Sequence, residues 1–506
     1  MHPGKTNCFS EICLTVVLKL TTAMFHKFLA LLFFITAIMA CGNSKTAVPT
    51  GIQSAEPATK DALINITVEG LMNGTAKLVG VYADQNFLAD SAKVGPDGSF
   101  TFQRDSAYLS GLYFVIVPGD KNFQMIIDAN QHFSMKTKQG DFVKYMEVAG
   151  SIDNTLLYES LKYQSEVDKK FEDIQKRLNQ AAKNSPEYAQ AKSEQDKLLK
   201  ERAEHVESYR KNYPTAFFTK FKLAGQNPAI DEPKKPDGTL DTLMQSYLYR
   251  SKFWNDVDFS DVRLLRTPVI HNKLKRYITE ITAQIPDSII KSASIVTDKS
   301  LVNKEMFKFV ANWIALQYQA TKTKVMGGEA VYAYMIDKYF TRELAYWSDS
   351  TEIKGLRKQA AEIGASVLGK TGQDVRAKDP TGQYRSLYDL KAPYVLVYIY
   401  NPDCEHCQKE TPLVKQVYEK WKPKGFFDVY GIATETDDAK WKSYIAKEKL
   451  TFTNVFDPTY ESKYYLKYHI DITPEMYLLN KDRKIIAMNI DAAQLDQLLT
   501  EEFSKQ

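Results

Sequence analysis

Apolar and polar residues alternate along the chain just after residue 60. Ile64, Ile66 and Val68 are separated by single polar residues, and this period of two predicts a half-buried β-strand. Turn-forming pairs such as Asn73-Gly74 separate the apolar runs that follow. We therefore predict a small all-β sandwich or barrel over residues 61–150. Its other strands are predicted at 77–82, 99–102, 112–117, 123–127 and 132–136.

Helical patterns replace this alternation over residues 151–369. An amphipathic helix is predicted from 152 to 163, and the charge-rich stretch 165–211 is interpreted as a solvated helical face. Residues 227–238, rich in Pro and Asp, predict a loop. Aromatic residues near the later helices are interpreted as packing core, with a peptide-binding groove as the alternative. Those helices are predicted at 271–284, 303–321, 328–338 and 352–368, and the aromatic residues are Phe253, Trp254, Phe259, Trp313, Tyr318, Tyr332, Tyr334, Tyr339 and Trp347.

The last part of the chain, residues 370–506, alternates apolar strand-like runs with helical patterns. This alternation predicts an α/β layer fold. The predicted strands are 394–400, 427–433, 453–456, 475–479 and 484–490, and the predicted helices are 407–421, 438–448, 460–468 and 492–503.

An apolar run of thirteen residues, 28–40, follows the basic residue Lys27 near the start of the chain. This length suits the central region of a signal peptide better than a membrane-spanning helix. The run ends at Cys41 in a sequence that resembles a bacterial lipobox, whose cysteine is lipidated and becomes the mature N-terminus. A plain signal peptide and an N-terminal anchor are the alternatives. Met24 suits the start of such a segment better than Met1, so residues 1–23 are interpreted as an over-extended start.

Length and net charge bear on the number of domains and on the class of partner. A chain of 506 residues exceeds one hydrophobic core and predicts several domains. The formal net charge of +4 is nearly neutral for this length, so nucleic acid is not expected as a partner. We divide the chain into a signal segment (1–41), a flexible tether (42–60), a β domain (61–150), a helical domain (151–369) and an α/β domain (370–506).

Cysteine usage points to a redox-active pair. Of the five cysteines, Cys8, Cys13 and Cys41 lie in the N-terminal segment, which leaves Cys404 and Cys407 as the free thiols of the exported chain. A structural disulfide framework needs more cysteines than this. No cofactor is therefore expected beyond a redox-active Cys404–Cys407 disulfide.

The spacing of the pair places both thiols at the start of a helix. Cys404 precedes the first turn, where unpaired N–H groups and the helix dipole favour a thiolate. Cys407 lies one turn on and can attack a mixed disulfide. A protonated His406 would stabilise the thiolate further, but a surface imidazole with little effect remains an equal alternative. Glu405 is a second candidate for tuning the pair, and neither Glu405 nor Glu410 is assigned as a proton acceptor.

Other functions of a Cys-x-x-Cys motif find less support. A c-type haem site needs His directly after the second cysteine, where Gln408 stands. Zinc needs four ligands, and the chain has no second cysteine pair for it, so no metal is expected. A peroxidatic cysteine would have Thr three residues upstream, where the chain has Asn401.

Residues 370–506 resemble the TlpA-like branch of the thioredoxin superfamily. The residues that carry the resemblance are the strand 394–400, Cys404-Glu405-His406-Cys407, Pro412 and Ile472-Thr473-Pro474. The resemblance implies a thioredoxin fold in which a cis Thr473-Pro474 bond lies against the dithiol and the Thr473 backbone pairs with a substrate strand. An ordinary trans proline is the alternative. Three features depart from the family pattern: Asp403 replaces an aromatic residue, Tyr398 occupies the place of a buried acid, and the usual glycine is absent from the last strand, residues 485–490.

The order of the parts resembles a group of Bacteroidota lipoproteins with a β domain, a helical domain and a TlpA-like domain. The resemblance implies a thiol–disulfide oxidoreductase of the cell envelope, anchored by lipid at Cys41 to a bacterial membrane, with the outer membrane favoured, and facing the periplasm. The expected partners are envelope protein thiols and disulfides and a membrane electron donor, and the expected direction is reductive. An envelope binding or scaffold protein and a thiol peroxidase are the alternatives.

Overall fold

The computed structural model describes residues 58–320, 322–470 and 472–505. The predicted signal segment with Cys41, and the tether up to residue 57, lie outside the described residues. In the part that the structure describes, none of the helices combines the length and the apolar character that crossing a membrane requires.

Eight strands form two four-stranded sheets at the start of the described chain, in the orders β4-β1-β7-β8 and β3-β2-β5-β6. Strand β1 buries every second side chain, as its alternation predicts, and pairs in parallel with β7. The prediction missed β3 because this edge strand is mostly exposed and lacks the alternation. The strands are β1 (Ala62–Glu69), β2 (Gly74–Tyr82), β3 (Gln85–Val94), β4 (Ser99–Arg104), β5 (Gly111–Val117), β6 (Lys121–Ile127), β7 (His132–Lys138) and β8 (Glu147–Ala149).

Nine helices follow in the middle of the described chain. The charged stretch splits into two helices because Ser185 caps a second helix and Pro186 occupies its first turn, where a missing N–H costs nothing. Phe253, Trp254 and Tyr339 are almost fully buried, as the core interpretation predicts. The helices are α1 (Ile152–Gln180), α2 (Pro186–Asn212), α3 (Phe217–Ala224), α4 (Thr242–Lys252), α5 (Val269–Thr279), α6 (Pro286–Ser300), α7 (Lys304–Gln317), α8 (Glu329–Tyr339) and α9 (Ser350–Gly364); α3, α4 and α6 were not predicted.

A seven-stranded sheet in the order β10-β9-β13-β12-β11-β14-β15 forms the last part of the chain. The interior strand β11 pairs in parallel with β12 and antiparallel with β14, and apolar clusters cover both faces of the sheet. This confirms the predicted thioredoxin-like fold. The strands are β9 (Arg376–Lys378), β10 (Tyr384–Ser386), β11 (Tyr394–Tyr400), β12 (Phe427–Ala433), β13 (Thr453–Phe456), β14 (Glu475–Leu479) and β15 (Ile485–Met488), and the helices are α10 (Glu405–Trp421), α11 (Asp438–Glu448), α12 (Tyr464–Lys467) and α13 (Ala492–Phe503).

Two predicted elements of this part are shorter than expected. The helix predicted at 460–468 is reduced to α12, because the Asp457 carboxylate accepts bonds from the N–H groups of Glu461 and Ser462 and holds them in a turn. Lys463 then adopts a left-handed conformation with φ of 53°. Strand β15 ends at Met488 because Asn489 is also left-handed.

Buried polar contacts join the two sheets at the start of the chain to the helices. Asn154 in α1 is fully buried, and its side chain bonds both the N–H and the carbonyl of Ile126 in β6, at 2.8 and 2.7 Å. Arg263, just before α5, bonds Asp128 at 2.8 Å and lies over the Phe217 ring. Since buried backbone groups need partners, Asn154 fixes how α1 meets the sheet.

Replacing Asn154 with Ala should lower the free energy of unfolding by about 2–4 kcal/mol, because two buried backbone groups of Ile126 lose their partner. Urea denaturation followed by circular dichroism measures the change. Asn179→Ala is the matched control, since its side chain accepts one bond from Gln175 at the surface, and should change stability by less than about 0.5 kcal/mol. Equal effects of the two substitutions would contradict this account.

Candidate active site

A tight turn after β11 delivers Cys404 to the start of α10. The Asn401 side chain accepts a bond from the Asp403 N–H at 2.8 Å, and its carbonyl accepts one from the Cys404 N–H at 3.1 Å. Cys404 is the residue just before the helix, with an extended backbone at φ −84° and ψ 124°. The helix therefore begins two residues earlier than predicted, and both cysteines lie at its N-terminal end.

The Cys404 thiol is partly exposed and is placed to react. Its Sγ lies 3.3 Å from the carbonyl oxygen of Thr473. Partial burial alone would raise the pKa of Cys404. The backbone N–H of Cys407, the Thr473 and Cys407 side chains and the backbone N–H of His406 outweigh that effect and hold the pKa below its usual range. Donors at the first turn of a helix thus favour the thiolate, as predicted.

The Cys407 thiol has the opposite character. It is fully buried, and its Sγ accepts a bond from the Asn401 N–H at 3.3 Å. Burial raises the pKa of Cys407 to about 11, although the bonds from Asn401 and Thr473 act against it. Both cysteines are free thiols in this structure.

Thr473 and Pro474 lie against the dithiol from the neighbouring strand. The peptide bond between them is cis, as the family resemblance implies, and Glu475 opens β14 directly after it, opposite Ile399 of β11. Ile472, just before this bond, is 67% exposed. The Thr473 carbonyl therefore reaches Cys404 at an edge that an extended chain can approach.

Hydroxyl groups fill the space behind Cys407, where the sequence suggested a missing acid. The buried Tyr398 hydroxyl bonds Thr411 Oγ1 at 2.7 Å, and the Tyr444 hydroxyl donates to the Cys407 carbonyl at 3.3 Å. Thr411 and Tyr444 were not predicted as site residues. The four-residue spacing from Cys407 to Thr411 is the local signal that would have found Thr411, whereas Tyr444 comes from a distant helix.

Two parts of the chain are similar to known protein families. Residues 368–488 match the AhpC/TSA family, and residues 63–157 match a family described as a domain of unknown function, DUF4369. The thiol–disulfide oxidoreductase ResA of Bacillus thuringiensis is 29% identical over 131 residues, which cover 26% of this chain and 74% of that protein.

Solved structures add two similar domains. A domain of a possible thiol–disulfide isomerase from Cytophaga hutchinsonii is 33% identical, with a TM-score of 0.26, over 28% of this chain and 95% of that one. The thioredoxin domain of a thiol–disulfide oxidoreductase from Bacteroides vulgatus is 29% identical, with a TM-score of 0.26, over 27% of this chain and 97% of that one. Residues 368–488 are thus similar to the AhpC/TSA family. The protein is a thiol–disulfide oxidoreductase with a thioredoxin-like domain.

The remaining residues that the sequence singled out lie at the rim of this oxidoreductase site. His406 and Glu405 are exposed, and within the described chain their side chains make no hydrogen bond or ion pair. Glu410 points elsewhere, since its carboxylate accepts a bond from the Ala492 N–H at the start of α13, at 2.6 Å. Asp403 pairs with Lys440 at 3.0 Å. Among the described residues no cluster of His, Cys, Asp or Glu is arranged to hold a metal.

Alkylation should separate the two thiols of the oxidoreductase. Because the pKa of Cys407 is about 11 and that of Cys404 is lowered, iodoacetamide at pH 7 should modify Cys404 on the order of 100-fold faster. The Cys404 rate should level off at a lower pH than the Cys407 rate. Peptide mass spectrometry of the reduced protein measures both rates, and denaturation in urea is the control that should make them equal. Equal rates in the folded protein would contradict the assignment.

Proposed function

We propose that this oxidoreductase reduces disulfides in proteins of the bacterial cell envelope through Cys404 and Cys407. The observation that carries the proposal is the placement of a partly exposed thiol of lowered pKa at the start of α10, 3.3 Å from the Thr473 carbonyl. A buried thiol one helical turn away completes the pair. This is the arrangement that a two-step exchange requires.

The reaction proceeds through a mixed disulfide. The Cys404 thiolate attacks one sulfur of the substrate disulfide, and the other sulfur leaves as a thiolate that takes up a proton. Cys407 then gives up its proton and attacks Cys404 Sγ, which releases the second substrate thiol. Two electrons have passed to the substrate, and Cys404 and Cys407 are joined in a disulfide. A dithiol donor at the membrane reduces that disulfide and completes the cycle.

Thr473 and Pro474 are proposed to hold the substrate. The exposed Ile472 and the Thr473 backbone face the approach to Cys404, where an extended substrate strand can pair with main-chain groups. His406 and Glu405 are proposed to tune the pair, since both lie between the two cysteines and are exposed. Because both side chains are exposed to solvent, any electrostatic effect on the pair will depend on ionic strength.

The location of the enzyme is part of the proposal. Lipidation of Cys41 after removal of residues 1–40 would anchor the protein to a bacterial membrane, with the outer membrane favoured, and leave the dithiol facing the periplasm. The lipobox-like sequence around Cys41 supports this, and the acyl chains would supply the buried apolar surface that anchoring needs. Nucleic acid is not proposed as a partner, and neither a metal nor another cofactor is invoked.

Insulin reduction tests the function. With dithiothreitol as electron source, residues 42–506 should accelerate insulin precipitation, and Cys404→Ser should abolish the acceleration because the attacking thiol is lost. Equilibration with glutathione should give a reduction potential near that of thioredoxin, about −270 mV, if the enzyme is a reductant. A value near −120 mV would instead indicate an oxidant.

Two outcomes would favour the alternatives. No acceleration, with no effect of Cys404→Ser, would support an envelope binding or scaffold protein. Rapid consumption of hydrogen peroxide by residues 42–506 would support a thiol peroxidase. The sequence argues against this function, because Asn401 stands where a peroxidatic site would have threonine.

The anchor has its own test. The full chain expressed in a bacterial host should partition into the detergent phase of a Triton X-114 separation, and Cys41→Ala should move it to the aqueous phase because the acyl chains are absent. Cys13→Ala is the matched control and should leave partitioning unchanged. Detergent partitioning of the Cys41→Ala chain would contradict lipidation at this residue.

A further inference from the structure

A ring of hydrogen bonds joins the helical part of the chain to the segment that carries Thr473. Ser366 follows α9 and is fully buried. Its Oγ accepts a bond from the His469 N–H at 2.9 Å and lies 3.4 Å from the Tyr477 hydroxyl. The Tyr477 hydroxyl donates to the His469 carbonyl. Both main-chain groups of His469 are therefore held by side chains from two different parts of the fold.

Tyr477 is itself fixed by the sheet. It lies in β14, opposite Val397 of β11 and Met488 of β15, and is fully buried. Burial, followed by the charge of Glu475, raises the pKa of Tyr477 well above its usual value, so the hydroxyl stays protonated as a donor. His469 is thus tied to a residue that cannot move without disturbing the centre of the sheet.

A second contact from the helical part reaches the same strand. Glu329 opens α8 and is 3% exposed, and its carboxylate accepts a bond from the Asn489 side chain. The Asn489 N–H in turn donates to the Met476 carbonyl at 3.1 Å. The helical part therefore reaches the start of β14 through Asn489, and it contacts the segment before β14 through Ser366.

This matters for the dithiol because His469 and Thr473 belong to one connection into β14. The Thr473 carbonyl accepts a bond from the Cys404 S–H at 3.3 Å. The Thr473 side chain acts to lower the pKa of both thiols. A shift of this connection by about 1 Å would weaken such contacts substantially.

We propose that Ser366 and Tyr477 are positioning residues that hold Thr473 against Cys404, so that the helical part of the chain sets the reactivity of the dithiol. The effect of these residues on turnover rests on the proposed exchange reaction. It assigns a role in the chemistry to a part of the chain that carries none of the reacting groups.

Ser366→Ala and Tyr477→Phe in the full chain test the proposal. Each removes one hydroxyl from the ring around His469, so the Thr473 side chain, which lowers the pKa of Cys404, should lose its fixed position and stabilise the Cys404 thiolate less. Alkylation of the Cys404 peptide by iodoacetamide at pH 7 should slow by about three- to tenfold. The equilibrium with glutathione should move at least threefold toward the disulfide, because the reduced form loses stabilisation.

Tyr332→Phe is the matched control. Its hydroxyl donates to Gln359 at 3.0 Å, wholly inside the helical part, and both readouts should stay unchanged. Lower melting temperatures for Ser366→Ala and Tyr477→Phe with unchanged alkylation and unchanged glutathione equilibrium would overturn the proposal, since the ring would then serve stability alone. Alkylation needs no protein substrate, so absence of insulin reduction by the unchanged chain would count against the proposed function and not against this inference.

Discussion

The contact between Cys404 and the first turn of α10 controls the chemistry of the dithiol. Strand β11 is buried along almost its whole length and carries the chain to the edge of the sheet. The bonds of Asn401 then fold the next three residues so that Cys404 stands just before the helix. The backbone N–H groups of Cys407 and His406 in the first turn act on its sulfur and help to hold the pKa of Cys404 below its usual range. The direction of the helix thus favours negative charge on this sulfur.

The two thiols follow from one local geometry but differ because only one of them is buried. Helix donors act on Cys404 at the surface, whereas Cys407 faces Tyr398 and Thr411 in the apolar side of the sheet. A thiolate therefore forms readily at Cys404, whereas forming one at Cys407 costs the free energy of burying a charge. In the proposed reaction Cys404 therefore attacks first, and Cys407 attacks once a mixed disulfide on Cys404 lies beside it.

Local signals in the sequence were sufficient for the central elements of the site. The run of apolar residues in β11 and the Cys404–Cys407 spacing predicted the strand and the position of the thiols, and the family resemblance supplied the cis bond before Pro474. Elements without such a pattern escaped prediction. Strand β3 is exposed at a sheet edge, and β9 and β10 have three residues each. Contacts between distant residues, such as Ser366 with Tyr477, leave no periodic trace in a single sequence and depend on the assembled fold.

Polar contacts join the helical part of the chain to the thioredoxin-like part, and the division of the apolar core at this junction explains their role. Val367 packs with the core that the first two sheets share with the helices, and its neighbour Leu368 packs with a separate core beneath the last sheet. Each part therefore buries its apolar side chains on its own side of a single peptide bond. The contacts that Ser366 and Glu329 make across this boundary are directional hydrogen bonds. Breaking such a bond costs free energy, because a buried polar group is left without a partner. Such bonds specify the position of the connection from His469 to Thr473. Apolar packing of the same area is less directional and would fix that position less closely.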